Sequence, residues 1–221
     1  MPQDQASTLI TITNPRSPIS EAYRTLRTNL EFSSLDKPLR SMVVTSASPE
    51  EGKSTTLANL AVTLAQAGKK VIVVDCDLRR PSLHQIFGTP NTPGFTDMMR
   101  DDALMGQPPL QTTGVANLAL LPSGTIPPNP AELLGSQRML DVIAALKGQA
   151  DIVLFDAPPV IAVTDAAVLG TRVDGVVLLV NAGQTRREHA RRAKEQLEKL
   201  NIRIVGAVLN GATIDNTVGG Y

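Results

Sequence analysis

Residues 43–56, VVTSASPEEGKSTT, constrain this chain more than any other stretch, because they join a strand of buried type to a helix through a turn of phosphate-binding size. In that pattern two glycines bracket the turn, and a lysine and a hydroxyl residue open the helix. Gly52, Lys53 and Ser54 fill the last three places, while Ala47 stands where the first glycine belongs. The backbone N–H groups of such a turn point inward and the helix N-terminus adds its dipole, so the loop itself attracts phosphate oxygens. Gly52 permits close backbone approach, Lys53 brings a full positive charge to the terminal phosphates, and the Ser54 hydroxyl suits Mg²⁺. At about 4 Å and an effective dielectric near 20, that charge contributes about 4 kcal/mol. The stretch reads as a P-loop, with Glu50, Glu51, Gly52, Lys53, Ser54 and Thr55 around a nucleotide.

With 221 residues, 42% of them hydrophobic, the chain can build one domain around a real core. Its 21 basic and 21 acidic side chains cancel, which removes any global attraction to nucleic acid or an anionic bilayer. Aromatic residues make up 3% and tryptophan is absent, so platforms for stacking single-stranded bases are not expected either. The lone Cys76 rules out a disulfide framework or a clustered cysteine metal site and fits a reducing compartment, the cytoplasm. No apolar run approaches the ~18–20 residues of a membrane span, and the opening MPQDQ lacks the basic and apolar regions of a signal peptide. Attachment to a membrane is expected through a partner or a fused transmembrane segment rather than by direct insertion.

Residues 1–16 are polar and contain a short alternating run, Leu9-Ile10-Thr11-Ile12-Thr13, which suits either an edge strand or a tether. Ser17-Pro18 sets an N-cap before a proline at the first helical position and predicts a helix of about four turns through Phe32. On it Glu21, Arg24 and Arg27 recur every third residue and share a face, which by spacing alone is a solvated charged surface. A strand from Ser41 feeds the P-loop, and the helix after it is expected over 54–66, with Gly68 as its left-handed stop. Val71-Ile72-Val73-Val74 makes a second buried strand that runs into Asp75 and Asp77. Residues 88–117, rich in Gly, Pro and Thr, read as an ordered insertion with a short helical piece near 95–104, and 117–121 as a further strand. Asn129, Pro130 and Glu132 predict one helix running to Lys147 and stopped by Gly148. Residues 151–156, DIVLFD, form an apolar strand ending in a carboxylate, the Walker B pattern. A helix from Thr164, a strand over 175–180, a helix over 185–200 and a closing strand over 204–209 that ends at Asn210 complete the series. The tail is polar and glycine-rich.

This alternation predicts an α/β fold, a mostly parallel doubly wound sheet with helices on both faces, of the P-loop NTPase type. It spans residues 17–212, between an N-terminal segment, 1–16, and a tail, 213–221. Open α/β sheets bind ligands outside the carboxyl ends of their strands, which is where Asp75, Asp77, Asp156 and the P-loop fall. Mg²⁺ takes oxygen ligands and keeps several waters, so Ser54, Asp77 and Asp156 with phosphate oxygens suffice to hold it. Lys53, Asp75 and Asp77 are the catalytic candidates, with Asp75 assigned to orient a water or to take a proton from a protein hydroxyl. For a tyrosine that task is real, since a phenol of pKa near 10 is only about one part in a thousand ionised at neutral pH.

Three of these stretches, SxxPxEGKST over 46–55, DxDLRRP over 75–81 and FDAPP over 155–159, resemble the bacterial tyrosine kinases of exopolysaccharide synthesis. Residues 17–30 are similar to that family's ExxRxxR oligomerisation helix, and 124–134 to its GxxPPNPxELL segment. The resemblance spans about residues 8–212 and implies an ATP- and Mg²⁺-dependent protein-tyrosine kinase that autophosphorylates a C-terminal tyrosine, here Tyr221, in trans. It further implies a homo-oligomeric ring held through Glu21, Arg24 and Arg27, an adenine contact at Asn210, and a membrane polysaccharide co-polymerase as partner in exopolysaccharide or capsule export. The chain departs from the pattern twice. Glu50 stands where the family usually has glycine, bringing a Cβ and a like charge toward phosphate, and the tail holds one tyrosine instead of a cluster, the other, Tyr23, lying on the oligomerisation helix. The alternative is a MinD/ParA-like ATPase switch, which shares the fold but carries a second P-loop lysine where this chain has Ser48, and lacks the Glu21/Arg24/Arg27 helix.

Overall fold

In the computed structural model, which describes residues 9–33 and 37–212, the aliphatic runs pair into a seven-stranded sheet. Its strands are β1 (Ser41–Ser46), β2 (Val71–Asp75), β3 (Gln111–Thr112), β4 (Leu118–Leu121), β5 (Ile152–Asp156), β6 (Gly175–Asn181) and β7 (Ile204–Asn210). They lie in the order β3-β4-β2-β5-β1-β6-β7, parallel throughout except for β3, which runs antiparallel to β4. Successive side chains of a strand point to opposite faces, so the unbroken aliphatic runs feed two cores at once. Val43, Ile72, Val74, Val153 and Phe155 pack on one face, and Met42, Val44, Val73, Leu154 and Val177 on the other.

The helices in chain order are α1 (Ile10–Thr13), α2 (Pro18–Phe32), α3 (Lys53–Gln66), α4 (Leu83–Phe87), α5 (Phe95–Met98), α6 (Ala103–Gly106), α7 (Pro130–Gly135), α8 (Gln137–Lys147), α9 (Asp165–Gly170) and α10 (Arg187–Lys199). Leu57, Leu60, Ala61 and Leu64 bury α3 in the second core, where Leu30 of α2 joins them. Met139, Val142, Ile143 and Leu146 of α8, Leu169 of α9 and Leu197 of α10 fill the first. The expected doubly wound α/β architecture with helices on both faces is therefore present. The Ser17 side chain accepts the Ser20 N–H and Pro18 opens α2, which ends at Phe32.

Three expectations change. Residues 10–13 form a helical turn, not an edge strand: Leu9 is buried, and Thr11 donates through both N–H (3.1 Å) and Oγ1 (2.8 Å) to Asn59 Oδ1 on α3. That local bonding to a buried amide replaces the ladder an edge strand would need. The single helix expected up to Lys147 is broken at Ser136, whose backbone is extended (ψ 161°) and whose hydroxyl donates to Leu133 O at 2.7 Å, taking over an acceptor at the helix end. The helical piece near 95–104 is two short helices, α5 and α6, and α4 was not expected at all. The C-terminal segment 213–221 lies outside the described residues.

Asn59 is the polar link of the α1 turn to the core, since its Nδ2 also donates to Thr55 O at 2.9 Å. Asn59→Ala strands the buried Thr11 donors and is expected to cost about 1–3 kcal/mol, read as a lower urea midpoint with unchanged m-value.

Candidate active site

Val44 of β1 lies opposite Asp156 of β5, and Asp156 lies opposite Asp75 of β2, so three parallel strand ends deliver the P-loop and two carboxylates to one crevice. The loop leaves β1 with Ala47 N–H donating to Leu179 O at 3.1 Å and Ser46 Oγ donating to Ser48 O at 2.8 Å. It then turns twice through left-handed backbone, at Glu50 (φ 62°) and Gly52 (φ 83°). An L-residue in that region costs about 1–2 kcal/mol that glycine avoids, so Glu50, whose side chain is exposed, is a strained place in the loop. A Cβ at Gly52 would be strained by that φ and would lie 2.4 Å from Asn210 Nδ2, so a side chain there would displace the Asn210 amide.

One ammonium faces three carboxylates at the start of α3. Lys53 Nζ lies 2.7 Å from Asp77 Oδ2 and 3.5 Å from both Asp156 oxygens, and Ser54 Oγ donates to Asp156 Oδ2 at 2.5 Å. The other Asp77 oxygen accepts the Arg80 N–H at 3.0 Å. Asp75 Oδ2 accepts the N–H groups of Ser82 (3.0 Å) and Leu83 (2.9 Å), a remote cap for α4, while its Oδ1 is buried with no partner among the described residues. Asp75 and Asp156 are 0% exposed and Asp77 4%. Burial, reinforced by the charge of Asp156, pushes the Asp75 carboxyl up to about 8, and burial raises Asp156 as well. Burial would lower Lys53, but Asp156 and Asp77 outweigh it and hold its ammonium above the ordinary value. Surplus buried negative charge and an oxygen-only donor set fit a divalent cation of the Mg²⁺ type. Among the described residues no group of three or more His, Cys, Asp or Glu side chains is arranged to hold a metal alone, so phosphate and water oxygens must complete its shell.

The remaining residues singled out in the sequence distribute as follows. Glu51 is buried, and its carboxylate accepts from Thr185 Oγ1, which in turn accepts the Asn181 N–H at 2.7 Å. Asn210 Nδ2 donates to Glu51 O at 2.9 Å, so the ends of β6 and β7 brace the P-loop from the side. Thr55 is exposed on the first turn of α3. Glu21 and Arg24 form an ion pair, Arg24 also donates to Pro15 O at 2.6 Å, and Arg27 turns away into the seam with α3, donating to Thr63 O at 3.0 Å. Tyr23 is half-buried on α2 with its phenol pushed up by burial; Tyr221 lies outside the described residues. Sequence reasoning missed Thr185, Asn181 and the pair Arg79–Asp165, in which a fully buried carboxylate takes Arg79 Nε and Nη2 at 2.9 and 3.0 Å. A carboxylate at the start of the helix after Walker B was the only available signal for the last.

Residues 42–218 match the model of the CobQ/CobB/MinD/ParA nucleotide binding domain. Tyrosine-protein kinase YwqD of Bacillus subtilis (strain 168) is 47% identical over 203 residues, covering 92% of this chain and 85% of its own length. The kinase domain of Escherichia coli tyrosine kinase ETK superposes with a TM-score of 0.86 at 31% identity, over 96% of this chain and 83% of that one. A septum site-determining protein MinD from Pyrococcus horikoshii, complexed with Mg-ADP, superposes with a TM-score of 0.64 at 25% identity, over 77% and 69%.

Two outcomes follow from the geometry. Thr185→Val leaves the buried Glu51 carboxylate without its donor and is expected to weaken nucleotide binding about tenfold by calorimetry, with Thr185→Ser restoring it. Because the folded pKa of Asp75 lies above its unfolded value of about 3.9, its contribution is fully present below that value and is lost as pH rises toward about 8. The ligand-free Asp75→Asn protein, which keeps an acceptor for Ser82 and Leu83, should therefore gain in Tm relative to wild type between pH 5 and pH 8.

Proposed function

Because the chain belongs to the CobQ/CobB/MinD/ParA nucleotide-binding domain family and to the bacterial tyrosine kinases within it, we propose that it moves the γ-phosphoryl group of ATP, with Mg²⁺, to tyrosine hydroxyls. The chain is a protein-tyrosine kinase. The observation that carries the chemistry is the convergence of Lys53, Ser54, Asp77 and Asp156 at one sheet edge. In this reading the inward N–H groups of the loop hold the phosphates, and Lys53 moves from Asp77 to the terminal phosphate, where its charge offsets the charge spread over the transferring group. Ser54 and Asp156, already in contact, would hold Mg²⁺, which supplies electrostatic neutralisation of the phosphate oxygens.

The sequence alone placed Asp77 on the metal and Asp75 as proton acceptor. Burial favours a different division. Asp75 is sealed from solvent, with one oxygen capping α4, whereas Asp77 lines an open groove and is released when Lys53 turns to phosphate. We assign Asp77 to the acceptor hydroxyl and Asp75 to tuning the charge of the site. The same reading extends to Asn210 and Glu51 as the base side of the nucleotide site, to Tyr221 as an acceptor phosphorylated in trans, and to a homo-oligomer using the Glu21–Arg24 surface of α2. It also includes a polysaccharide co-polymerase that holds the kinase at the inner face of the membrane during exopolysaccharide or capsule export. Among the described residues no helix is long and apolar enough to cross a membrane. A pure ATPase switch is disfavoured by Ser48, which stands where that class has lysine and bonds instead to His189 Nδ1 at 3.2 Å.

Labelled ATP and Mg²⁺, followed by mass-spectrometric location of the phosphate, tests the reading; phosphate on tyrosine is expected, and hydrolysis with no labelled residue would count against it. Lys53→Met should lower transfer about 100-fold or more. It should also destabilise the ligand-free fold, because Asp77 and Asp156 lose the ammonium between them, and the loss should shrink as pH is lowered and Asp156, whose carboxyl is pushed up by burial, protonates.

A further inference from the structure

The charges of this chain cancel overall, yet they are not spread evenly. Residues 186–192, at the start of α10, carry four arginines against one glutamate, and all four arginines are exposed. Arg187, Arg191 and Lys194 recur at i, i+4 and i+7, so they form a row along one face of the helix. Arg191 and Lys194 lean on Glu195 and Glu198 at 3.4 and 3.5 Å, whereas the side chains of Arg186, Arg187 and Arg192 have no partner among the described residues. Two guanidinium groups one helical turn apart, with Cβ atoms about 6 Å from each other, match the oxygens of a single phosphate monoester. The tail of the chain starts nearby. Asn181 of β6 lies opposite Asn210 of β7, and Asn181 O accepts the N–H of Thr185, two residues before Arg187, at 2.9 Å. With neighbouring strands about 4.8 Å apart and at most ~3.6 Å per residue, Arg187 lies within about 20 Å of Asn210. Tyr221 is eleven positions beyond Asn210, a reach of up to about 36 Å. Between them stand one aspartate, Asp215, and no lysine or arginine.

We propose that the arginine row of α10 captures the phosphotyrosine formed at Tyr221 in cis, on the same subunit that carries the tail, an inference that rests on the kinase reading above and on Tyr221 as an acceptor. Phosphorylation converts a neutral phenol into a group of charge about −1.5 to −2 with three acceptor oxygens, which is what unpaired guanidinium groups lack. Exposed arginines hold such a group weakly, but tethering changes the balance. A group carried by so short a segment is presented at about millimolar concentration, so a dissociation constant in that range keeps the site about half occupied in cis and nearly empty to micromolar ligand in trans. Capture therefore separates two states of the tail. Before transfer nothing draws it to α10, and it is available to the P-loop of a neighbouring subunit. After transfer it is held on its own subunit, and the product no longer competes there with fresh acceptor.

The test uses the full chain without nucleotide, with phosphotyrosine installed at position 221 by genetic code expansion, so that capture is read independently of kinase activity. At low chain concentration a soluble tyrosine phosphatase is expected to remove the phosphate at about half the rate or less of that seen in Arg187→Gln/Arg191→Gln, the gap closing at high salt. Arg187→Lys/Arg191→Lys should recover part of the protection. Both positions are exposed, so Tm should not change. The second ionisation of the phosphotyrosine, followed by phosphorus NMR, should lie below that of a free phosphopeptide of residues 212–221, ordinarily about 6, and return to it in the glutamine variant. Equal dephosphorylation rates with an ionisation like that of the free peptide, or protection that grows with chain concentration and so belongs to a neighbouring subunit, would overturn capture in cis. Equal rates together with loss of binding to phosphatidylglycerol vesicles in the glutamine variant would give the arginines to a membrane surface instead. A chain that shows the protection but, given ATP and Mg²⁺, never labels Tyr221 overturns that tyrosine as an acceptor and leaves the arginine site standing.

Discussion

Three carboxylates and one ammonium share a site from which water is nearly excluded, and the geometry around them follows from keeping that arrangement tolerable. A buried carboxylate is tolerated only when it is paired, hydrogen-bonded or protonated. Here each of the three takes a different route. Asp77 pairs with Lys53 and aligns on a backbone N–H; Asp156 takes Ser54 and the more distant Lys53; Asp75 takes the N–H groups of Ser82 and Leu83 at the start of α4, and burial with the charge of Asp156 pushes its carboxyl up toward the neutral form. The register of β2 and β5, with Asp75 opposite Asp156, makes this crowding unavoidable once both strands end in aspartate. The site thus holds surplus buried negative charge that a divalent cation would offset, and the stability of the ligand-free state carries the cost.

The P-loop is the common wall of two compartments. Toward β6 and β7, Glu51 and Gly52 meet Thr185 and Asn210; toward the segment after β5, Pro49 faces Pro158 and Ala162. Glu50 lies between them, at a left-handed φ that suits glycine. Its charge is exposed, so the strain of its backbone, more than repulsion of phosphate, is what this position adds to the loop. The loop thus bends at two left-handed positions and is bonded on the side of β6 and β7.

Most of the fold was legible because its signals are local. Parallel strands covered on both faces must be continuously aliphatic, Ser17-Pro18 can open a helix and do little else, and aspartates at strand ends point to the ligand edge before any contact is known. What was not legible depends on partners far away in the chain. Glu51 and Thr185 are 134 residues apart and Arg79 and Asp165 are 86 apart, and nothing local to either member announces its partner. The turn at Ile10–Thr13 exists because Asn59 offers a buried acceptor, and α4 because Asp75 reaches back to cap it. The break at Ser136 is the exception, a local event in which a serine hydroxyl competed with the helix and won.

The charged helix shows how the bland and the sharp reading of one motif can both hold. Spacing put Glu21, Arg24 and Arg27 on one face, yet the face divides. Glu21 and Arg24 pair at the surface and tie the helix to Pro15, a bond between exposed groups worth at most about 1 kcal/mol and therefore free to be exchanged for a partner's charges. Arg27 instead holds Thr63 O near the C-terminal end of α3, where a cation opposes the negative end of the helix dipole. Since α3 begins at Lys53, the two ends of that helix meet the two tasks of the chain. Its N-terminus carries the lysine and serine proposed to meet phosphate, and its C-terminus is held by the helix on which subunit contacts are proposed. The proposed assembly surface and the proposed nucleotide site therefore lie at opposite ends of one fourteen-residue helix, joined through the seam between α2 and α3.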